Sequence, residues 1–200
     1  MRKLGRMMRI RPYTPADRPA IADICVRTGD SGQDATGLHS SDGLLPDIYA
    51  LPYVDREPEL AFVVDNGERA VGYIIGTADT RAFADWFNTG WWPRAATRYD
   101  ADGPDKELLA SVANPNRMLI PAVDEYPAHL HIDLLPEAQG QGFGRSLIET
   151  LAASLAERGI RGLHLVVGTA NTNAQAFYKR VGFTELAADA GGVTLGRKLP

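Results

Sequence analysis

The sequence contains almost no cysteine, no excess of basic charge and no long apolar run. One cysteine in 200 residues cannot form an internal disulfide, which favours a reducing, cytoplasmic setting. A net charge of −4 argues against a nucleic-acid partner, which usually requires a basic face. No segment approaches the roughly 18 apolar residues of a membrane span, and no apolar signal core follows the basic first residues.

The residues that are present fit one globular domain spanning 1–200. Apolar residues make up 44% of the chain, enough for a sizeable core. Residues 1–7 are predicted to be a disordered tail. The order of the predicted elements favours an α/β fold with a mixed, strongly twisted sheet and helices on both faces.

Periodicity and turn signals place the individual elements. A strand at 8–12 is followed by a helix that starts with Thr14 and Pro15, and strands at 60–65 and 70–80 are joined by Asn66-Gly67. Segment 29–58 is rich in Gly, Asp, Ser and Pro, with one short helix at 44–50. The remaining predictions are strands at 128–135, 162–167, 183–188 and 192–199, and helices at 143–158 and 173–181.

Segment 81–127 is predicted to be a helical insertion before strand 128–135, with helices near 82–88 and 105–112. Connections of this length are usually functional or carry their own structure. The segment is rich in aromatic residues, which form either a small core of its own or the wall of an acceptor pocket: Phe83, Trp86, Phe87, Trp91, Trp92 and Tyr99.

A glycine-rich turn between strand 128–135 and helix 143–158 carries the strongest chemical signal. It reads Gln139-Gly140-Gln141-Gly142-Phe143-Gly144-Arg145-Ser146. Closely spaced glycines let the backbone approach a bulky group, and the following helix start adds unpaired N–H donors with partial positive charge. This combination predicts a pyrophosphate site. The spacing fits neither a Walker loop nor a dinucleotide fingerprint.

Two motifs resemble the GNAT N-acetyltransferase superfamily. The pattern Gln-x-x-Gly-x-Gly at 139–144 resembles its acetyl-CoA motif, and segment 171–183 resembles its later helix, with Ala176-Phe177-Tyr178 in the body. Segments at 11–15, 62–64, 72–77, 91–93 and 195–199 are similar to the acetyltransferase-like domain of O-GlcNAcase and its free-standing bacterial relatives. The cofactor motif is degenerate in the animal domain, whereas its glycines are present here.

The resemblance implies acetyl-CoA as co-substrate and a GNAT-like sheet. Leu134 and Leu135 would offer backbone groups to the pantetheine arm, and the turn would bind the pyrophosphate. The implied cofactor-binding residues are Leu134, Leu135, Gln139, Gly140, Gln141, Gly142, Phe143, Gly144, Arg145, Ser146, Asn171, Phe177 and Tyr178. Asn171 is also a candidate helix cap.

The catalytic candidates lie on strand 128–135 and on the later helix. His129, His131 and Asp133 alternate on one strand face, which then lines a cleft or merely meets polar neighbours. A general base would free the attacking amine of its proton; Asp133 is favoured, then His131, with Asp79 a distant third. A His-x-His metal site lacks an apparent third ligand, so no metal is predicted.

Tyr178 occupies the superfamily's general-acid position, although it also belongs to an apolar helix stripe. A tyrosine stays protonated at neutral pH and can protonate the departing thiolate. Cys25, on an apolar stripe, is predicted to be a core residue.

The predicted function is direct acetyl transfer from acetyl-CoA to an unidentified amine. The alternative is a non-catalytic acetyl-CoA-binding or protein-interaction domain. No nucleic-acid or membrane partner is expected, and the chain is expected to be a monomer or a homodimer.

Overall fold

A computed structural model describes residues 7–200, so six residues of the predicted N-terminal tail lie outside the described part. The strands are Arg9–Pro12 (β1), Phe62–Asp65 (β2), Ala70–Thr77 (β3), Ala128–Leu134 (β4), Gly162–Val167 (β5), Thr184–Asp189 (β6) and Gly192–Lys198 (β7). The helices are Arg18–Arg27 (α1), Leu44–Tyr49 (α2), Leu51–Arg56 (α3), Thr80–Trp86 (α4), Trp92–Ala95 (α5), Lys106–Val112 (α6), Phe143–Glu157 (α7) and Thr172–Arg180 (α8). Among residues 7–200, no helix has the length and apolar content needed to cross a bilayer.

The seven strands form one mixed sheet in the order β1-β2-β3-β4-β5-β7-β6. Only β4 and β5 are parallel, and every other neighbouring pair is antiparallel. The predicted mixed sheet is therefore confirmed, and the predicted strands agree with the observed ones to within a few residues. The turn after β2 is also as expected, because Gly67 has φ +88° and the Asn66 side chain accepts two backbone N–H bonds.

Helices cover both faces of the sheet, as predicted. On one face α7 packs through leucines that recur every fourth residue; Leu147, Leu151 and Leu155 are all fully buried. Burial of each such side chain stabilises the fold by roughly 1.5–3 kcal/mol. On the other face α1 lies over β3, where Cys25 is buried beside Tyr73.

Two glycines of the central strand β3 lie against β4 where a side chain has no room. They pair over six positions, from Gly72 opposite Leu134 to Thr77 opposite His129. A Cβ added to Gly72 would lie 2.3 Å from Leu134 Cδ2, and one added to Gly76 would lie 2.7 Å from the His129 carbonyl oxygen. The two glycines therefore allow β4 to hold its position against β3.

The aromatic residues of segment 81–127 belong to the main core. Phe83 stacks on Tyr53 of α3 with ring centroids 4.3 Å apart, and Phe87 stacks on Trp92 at 5.9 Å. Phe83, Phe87 and Trp92 are buried in the same cluster as the sheet. A separate small core was therefore the wrong expectation, and the acceptor-wall alternative is not supported either, because the cleft described below is lined by none of these rings.

We predict that Gly76→Ala destabilises the protein, because the new methyl group meets the fixed carbonyl of His129. Overpacking of this kind costs about 1–3 kcal/mol of unfolding free energy. Gly90→Ala is the matched control, since its Cβ would make ordinary 3.6 Å contacts with Trp86. Urea denaturation of both variants measures the difference, and equal stabilities would contradict the close approach.

Candidate active site

A cleft opens where β4 and β5 separate. The two strands are bridged only at Ala128–Leu163 and His129–His164. Beyond these pairs, residues 130–134 of β4 and 165–167 of β5 line a cleft of about 1010 Å³. Because the opposite edge of β4 is paired with β3, the edge facing the cleft is the one that can offer backbone groups to a ligand.

The glycine turn presents its backbone amides to this cleft. Gly140 and Gly142 adopt φ +72° and +84°, a conformation that favours glycine. Within residues 7–200, the six consecutive amides of 140–145 have no hydrogen-bond acceptor. Gly142 also caps the N-terminus of α7, whose dipole adds partial positive charge. The turn can therefore bind an anion.

Side-chain hydrogen bonds stabilise the glycine turn. The side-chain amide of Gln139 donates to the Leu134 carbonyl at 2.8 Å, and the side-chain amide of Gln141 donates to the Glu137 carbonyl at 2.7 Å. Arg145 donates to the carbonyl of Arg180 at 3.1 Å, which ties the turn to α8. Both arginines line the cleft, so two positive charges lie beside the amides.

Most of the predicted cofactor residues meet at the cleft, but three do not line it. Those that line it are Leu134, Gln139, Gly140, Gly142, Phe143, Gly144, Arg145, Asn171, Phe177 and Tyr178. Leu135 is buried; its amide donates to Val71 and its carbonyl accepts from Ala138. These backbone groups are already used within the protein, against the prediction for Leu135. Gln141 and Ser146 also lie outside the lining, and the Ser146 amide donates to Gly142.

Helix α8 closes the cleft from the side of β5. Asn171 caps it by accepting from the Ala174 amide at 3.1 Å, as predicted, and it also lines the cleft. A Cβ at Gly144 would lie 3.0 Å from Phe177 Cζ. The third glycine of the motif thus allows α8 to pack against the start of α7.

Asp133 lines the cleft on the face of β4 that also carries His129 and His131, which confirms the predicted alternation. The Tyr73 hydroxyl donates to Asp133 Oδ2 at 2.5 Å. Burial raises the pKa of the Asp133 carboxyl to about 6, while the hydrogen bond from Tyr73 opposes that shift. Asp133 is therefore mainly ionised at pH 7 and has a pKa suited to accepting a proton.

Tyr178 lies on α8 with its ring against Phe177 and Phe183, at centroid distances of 5.3 and 5.7 Å. Burial raises the pKa of its hydroxyl well above the ordinary value, and the negative charge of Asp133 adds to the effect. Tyr178 is consequently protonated at neutral pH and lines the same cleft as Asp133.

A hydroxyl that the sequence did not reveal joins two histidines of β4. The Tyr53 oxygen lies 2.7 Å from His129 Nε2 and 3.0 Å from His131 Nε2. Burial, followed by the charges of Arg117 and His164, lowers the pKa of His131 to about 4. Tyr53 follows Pro52 in a short helix inside a segment that reads as loop, so its position on β4 gave no sequence signal.

The remaining candidates have structural positions. The Asp79 side chain accepts from the Ala82 amide at 3.0 Å and caps α4, away from the cleft-lining residues. Cys25 touches the cleft but is buried, and burial raises the pKa of its thiol far above the usual range. A thiol in that state is a poor nucleophile.

An open strand edge beside an anion-binding turn suits a ligand that carries both a pyrophosphate and an extended amide arm. A family model described as the Acetyltransferase (GNAT) family matches residues 34–183, three quarters of the chain. The chain therefore belongs to the GNAT acetyltransferase family, and acetyl-CoA is its co-substrate. The predicted superfamily, fold and co-substrate are thereby confirmed.

Individual relatives agree with this assignment. The chain is 25% identical to protein O-GlcNAcase of Rattus norvegicus over 98% of its own length, but covers only 22% of that protein. It is 44% identical to mycothiol acetyltransferase of Geodermatophilus obscurus, covering 90% of this chain and 62% of the relative. The chain thus spans about a fifth of the rat protein's length. The predicted resemblance to O-GlcNAcase is confirmed.

Among solved structures, one described as the crystal structure of SsHAT is similar throughout. It superposes with a TM-score of 0.90 at 48% identity, and the match covers 96% of this chain and 98% of that one.

We predict that Tyr73→Phe raises the pKa of Asp133 further above about 6, because the carboxylate loses its hydroxyl donor. A hydrogen bond to a charged group is worth roughly 1.5–3 kcal/mol, which corresponds to about one to two pKa units. Carboxyl ¹³C NMR titration measures the shift. Tyr13→Phe, a tyrosine outside the cleft lining, is the control and should leave the Asp133 value in place.

Proposed function

We propose that this chain transfers the acetyl group of acetyl-CoA directly to the nitrogen of a small amine. The observation that carries the proposal is that a single cleft is lined by the glycine turn, the open edge of β4, Asp133 and Tyr178. Direct transfer is favoured over a covalent thioester on the enzyme, because the chain has a single cysteine, Cys25, and burial suppresses the ionisation of its thiol.

The cofactor would lie along the split between β4 and β5. The amides of 140–145 would bind its pyrophosphate, with Arg145 and Arg180 adding positive charge. The pantetheine arm would run along the open edge of β4 at 130–134, which can pair with an amide chain as another strand would. A backbone N–H of the same edge would polarise the thioester carbonyl.

The chemistry would use Asp133 and Tyr178 in opposite roles. The amine nitrogen attacks the thioester carbon and a C–N bond forms, while Asp133 accepts the proton that leaves nitrogen. The C–S bond then breaks, and Tyr178 donates its hydroxyl proton to the thiolate. The pKa of about 6 supports Asp133 as the base. Burial keeps Tyr178 protonated but also makes it a weaker acid, so its role rests on its position in the same cleft.

The acceptor end of the cleft is lined mainly by uncharged groups. Thr28, Ser31, Leu45 and Tyr49 line the cleft together with Asp133, and the Tyr49 ring lies 5.9 Å from that of His131. Both lining arginines lie at the other end, beside the glycine turn. Among the lining residues this distribution favours a neutral or cationic amine over one with an adjacent carboxylate. Arg117 lies outside the lining, 5.7 Å from the Tyr49 ring, and its positive charge acts on His131.

Free thiol release from acetyl-CoA in an amine panel tests the proposal. The panel contains n-butylamine, spermidine, a lysine peptide and cysteamine, the last because one relative is named for a thiol. Because cysteamine has a thiol of its own, its acetylated product and free coenzyme A are measured by chromatography instead. Glycine is the matched amine with an adjacent carboxylate and should react more slowly. Absence of thiol release with every amine would contradict the proposed transfer.

We predict that Gly142→Ala weakens coenzyme A binding by roughly tenfold or more, the size of one lost hydrogen bond to a charged group. A side chain at φ +84° strains the turn and displaces its amides. Gly159→Ala is the matched control, because Gly159 has φ +77° at the far end of α7. Both variants should lose about 1–2 kcal/mol of stability, but calorimetric titration should show weaker binding in Gly142→Ala alone. Equal affinities would exclude the turn as the pyrophosphate site.

We predict that Asp133→Asn lowers kcat by roughly 10²–10⁴-fold, the usual contribution of a positioned base. The carboxylate is the form of Asp133 that accepts a proton, and it is lost as pH falls through about 6. The slope of log kcat/KM against pH should therefore increase by one unit below that pH. The break should vanish in Asp133→Asn. Tyr178→Phe should also be slow but should retain the break, and an unchanged rate in both variants would refute these roles.

A further inference from the structure

A chain of hydrogen bonds runs from the start of β4 to the cleft. Thr80 Oγ1 lies 2.6 Å from the Pro127 carbonyl oxygen and 2.8 Å from His129 Nδ1. His129 Nε2 lies 2.7 Å from the Tyr53 hydroxyl, which lies 3.0 Å from His131 Nε2. Thr80, His129 and Tyr53 each have one hydrogen-bond partner on either side, which fixes the donor and the acceptor of every bond.

The direction is fixed at the Pro127 end. A carbonyl oxygen can only accept, so the Thr80 hydroxyl must donate to Pro127 at 2.6 Å. Its single hydrogen is then used, and Thr80 must accept from the Nδ1–H of His129. Burial lowers the pKa of His129 well below its ordinary value, so this ring carries one proton and its Nε2 is bare.

Tyr53 links the protonation of His129 to that of His131. The Tyr53 hydroxyl must donate to the bare Nε2 of His129, because no hydrogen lies on that nitrogen. Its oxygen then accepts from the Nε2–H of His131. The lowered pKa of His131, about 4, keeps this ring neutral at pH 7, so its remaining nitrogen, Nδ1, bears a lone pair.

Nδ1 of His131 is open to the cleft. His131 lines the cleft, and no acceptor or donor within residues 7–200 pairs with its Nδ1. The buried side-chain atoms without a partner in this part of the chain belong to Arg117, so Nδ1 is reached by solvent. The rings and charges around His131 are those of Tyr49, Tyr53, His129, His164 and Arg117.

Two hydrogen-bond acceptors therefore lie on one face of β4, two residues apart. Nδ1 of His131 and the carboxylate of Asp133 share the cleft, and their Cα atoms are roughly 6–7 Å apart along the strand. A primary amine has two N–H hydrogens and one lone pair. Donation of one hydrogen to each acceptor leaves the lone pair free for the thioester carbon.

We propose that Nδ1 of His131 accepts a hydrogen bond from the acceptor amine and that Tyr53 is the positioning residue that holds this ring as the Nε2–H tautomer. The inference rests on the proposed amine acetylation and names its substrate class as primary amines. No proton passes to His131, since Asp133 takes the proton as the C–N bond forms. A secondary amine, with one N–H, loses one of the two contacts.

Histidine ¹⁵N NMR of the coenzyme A-bound protein tests the tautomers without any acceptor. The expected result is opposite tautomers, Nδ1–H for His129 and Nε2–H for His131. Tyr53→Phe should leave His129 unchanged and give His131 a mixture of both tautomers. Tyr49→Phe is the control, because Tyr49 contacts the His131 ring at 5.9 Å without a hydrogen bond and should change neither tautomer. Identical tautomers, or a protonated His131 at pH 7, would overturn the assignment.

Steady-state kinetics with n-butylamine and N-methylbutylamine test the contact itself. The wild-type protein should favour the primary amine by roughly three- to tenfold in kcat/KM beyond intrinsic reactivity, the size of one neutral hydrogen bond. His131→Gln, which lacks an acceptor at the Nδ1 position, should raise KM for n-butylamine by a similar factor and remove the preference. His131→Asn places its amide near Nδ1 and should restore part of it.

Different results would refute the proposed acetyl transfer and the proposed His131 contact. No acetylation of any panel amine would refute the proposed function, whereas the NMR result would still decide the tautomers. Acetylation of n-butylamine with the same KM in the wild-type protein and in His131→Gln would refute the contact while leaving the transferase intact.

Discussion

The early separation of β4 from β5 is the constraint on which the site depends. Had pairing continued past His129 and His164, the edge of β4 would be saturated by its neighbour and no cleft would exist. The gap stays open because β4 is held firmly from the other side. Its six-position pairing with β3, made close by Gly72 and Gly76, fixes one wall of the cleft.

That fixed wall also sets the protonation states of the groups it carries. Burial alone would leave Asp133 and His131 both uncharged, but their surroundings differ. The Tyr73 hydroxyl donor offsets part of the upward pKa shift of Asp133, while Arg117 and His164 add to the downward shift of His131. At neutral pH one strand face thus bears a carboxylate and a neutral imidazole, opposite a protonated Tyr178.

Local signals in the sequence predicted the elements, the glycine turn and the cap at Asn171, because each depends on residues close together in the chain. The alternation of His129, His131 and Asp133 also predicted the polar face of β4. What the sequence could not supply was contact between distant segments. Tyr73 sits in a strand that is apolar around it, and Tyr53 lies in a loop-like segment, so neither revealed its partner on β4. The prediction of a separate small core for segment 81–127 was wrong for the same reason, since its aromatic residues pack against α3.

The aromatic rings of segment 81–127 support residues of the site, although the segment's rings do not line the cleft. Phe83 rests on the ring of Tyr53, and Tyr53 in turn touches both histidines of β4. Shortening the region between β3 and β4 would therefore remove the ring packed on Tyr53, whose hydroxyl is hydrogen-bonded to the cleft-lining His131. A homologous chain with a shorter region between β3 and β4 would need another contact to hold the imidazole at the position of His131.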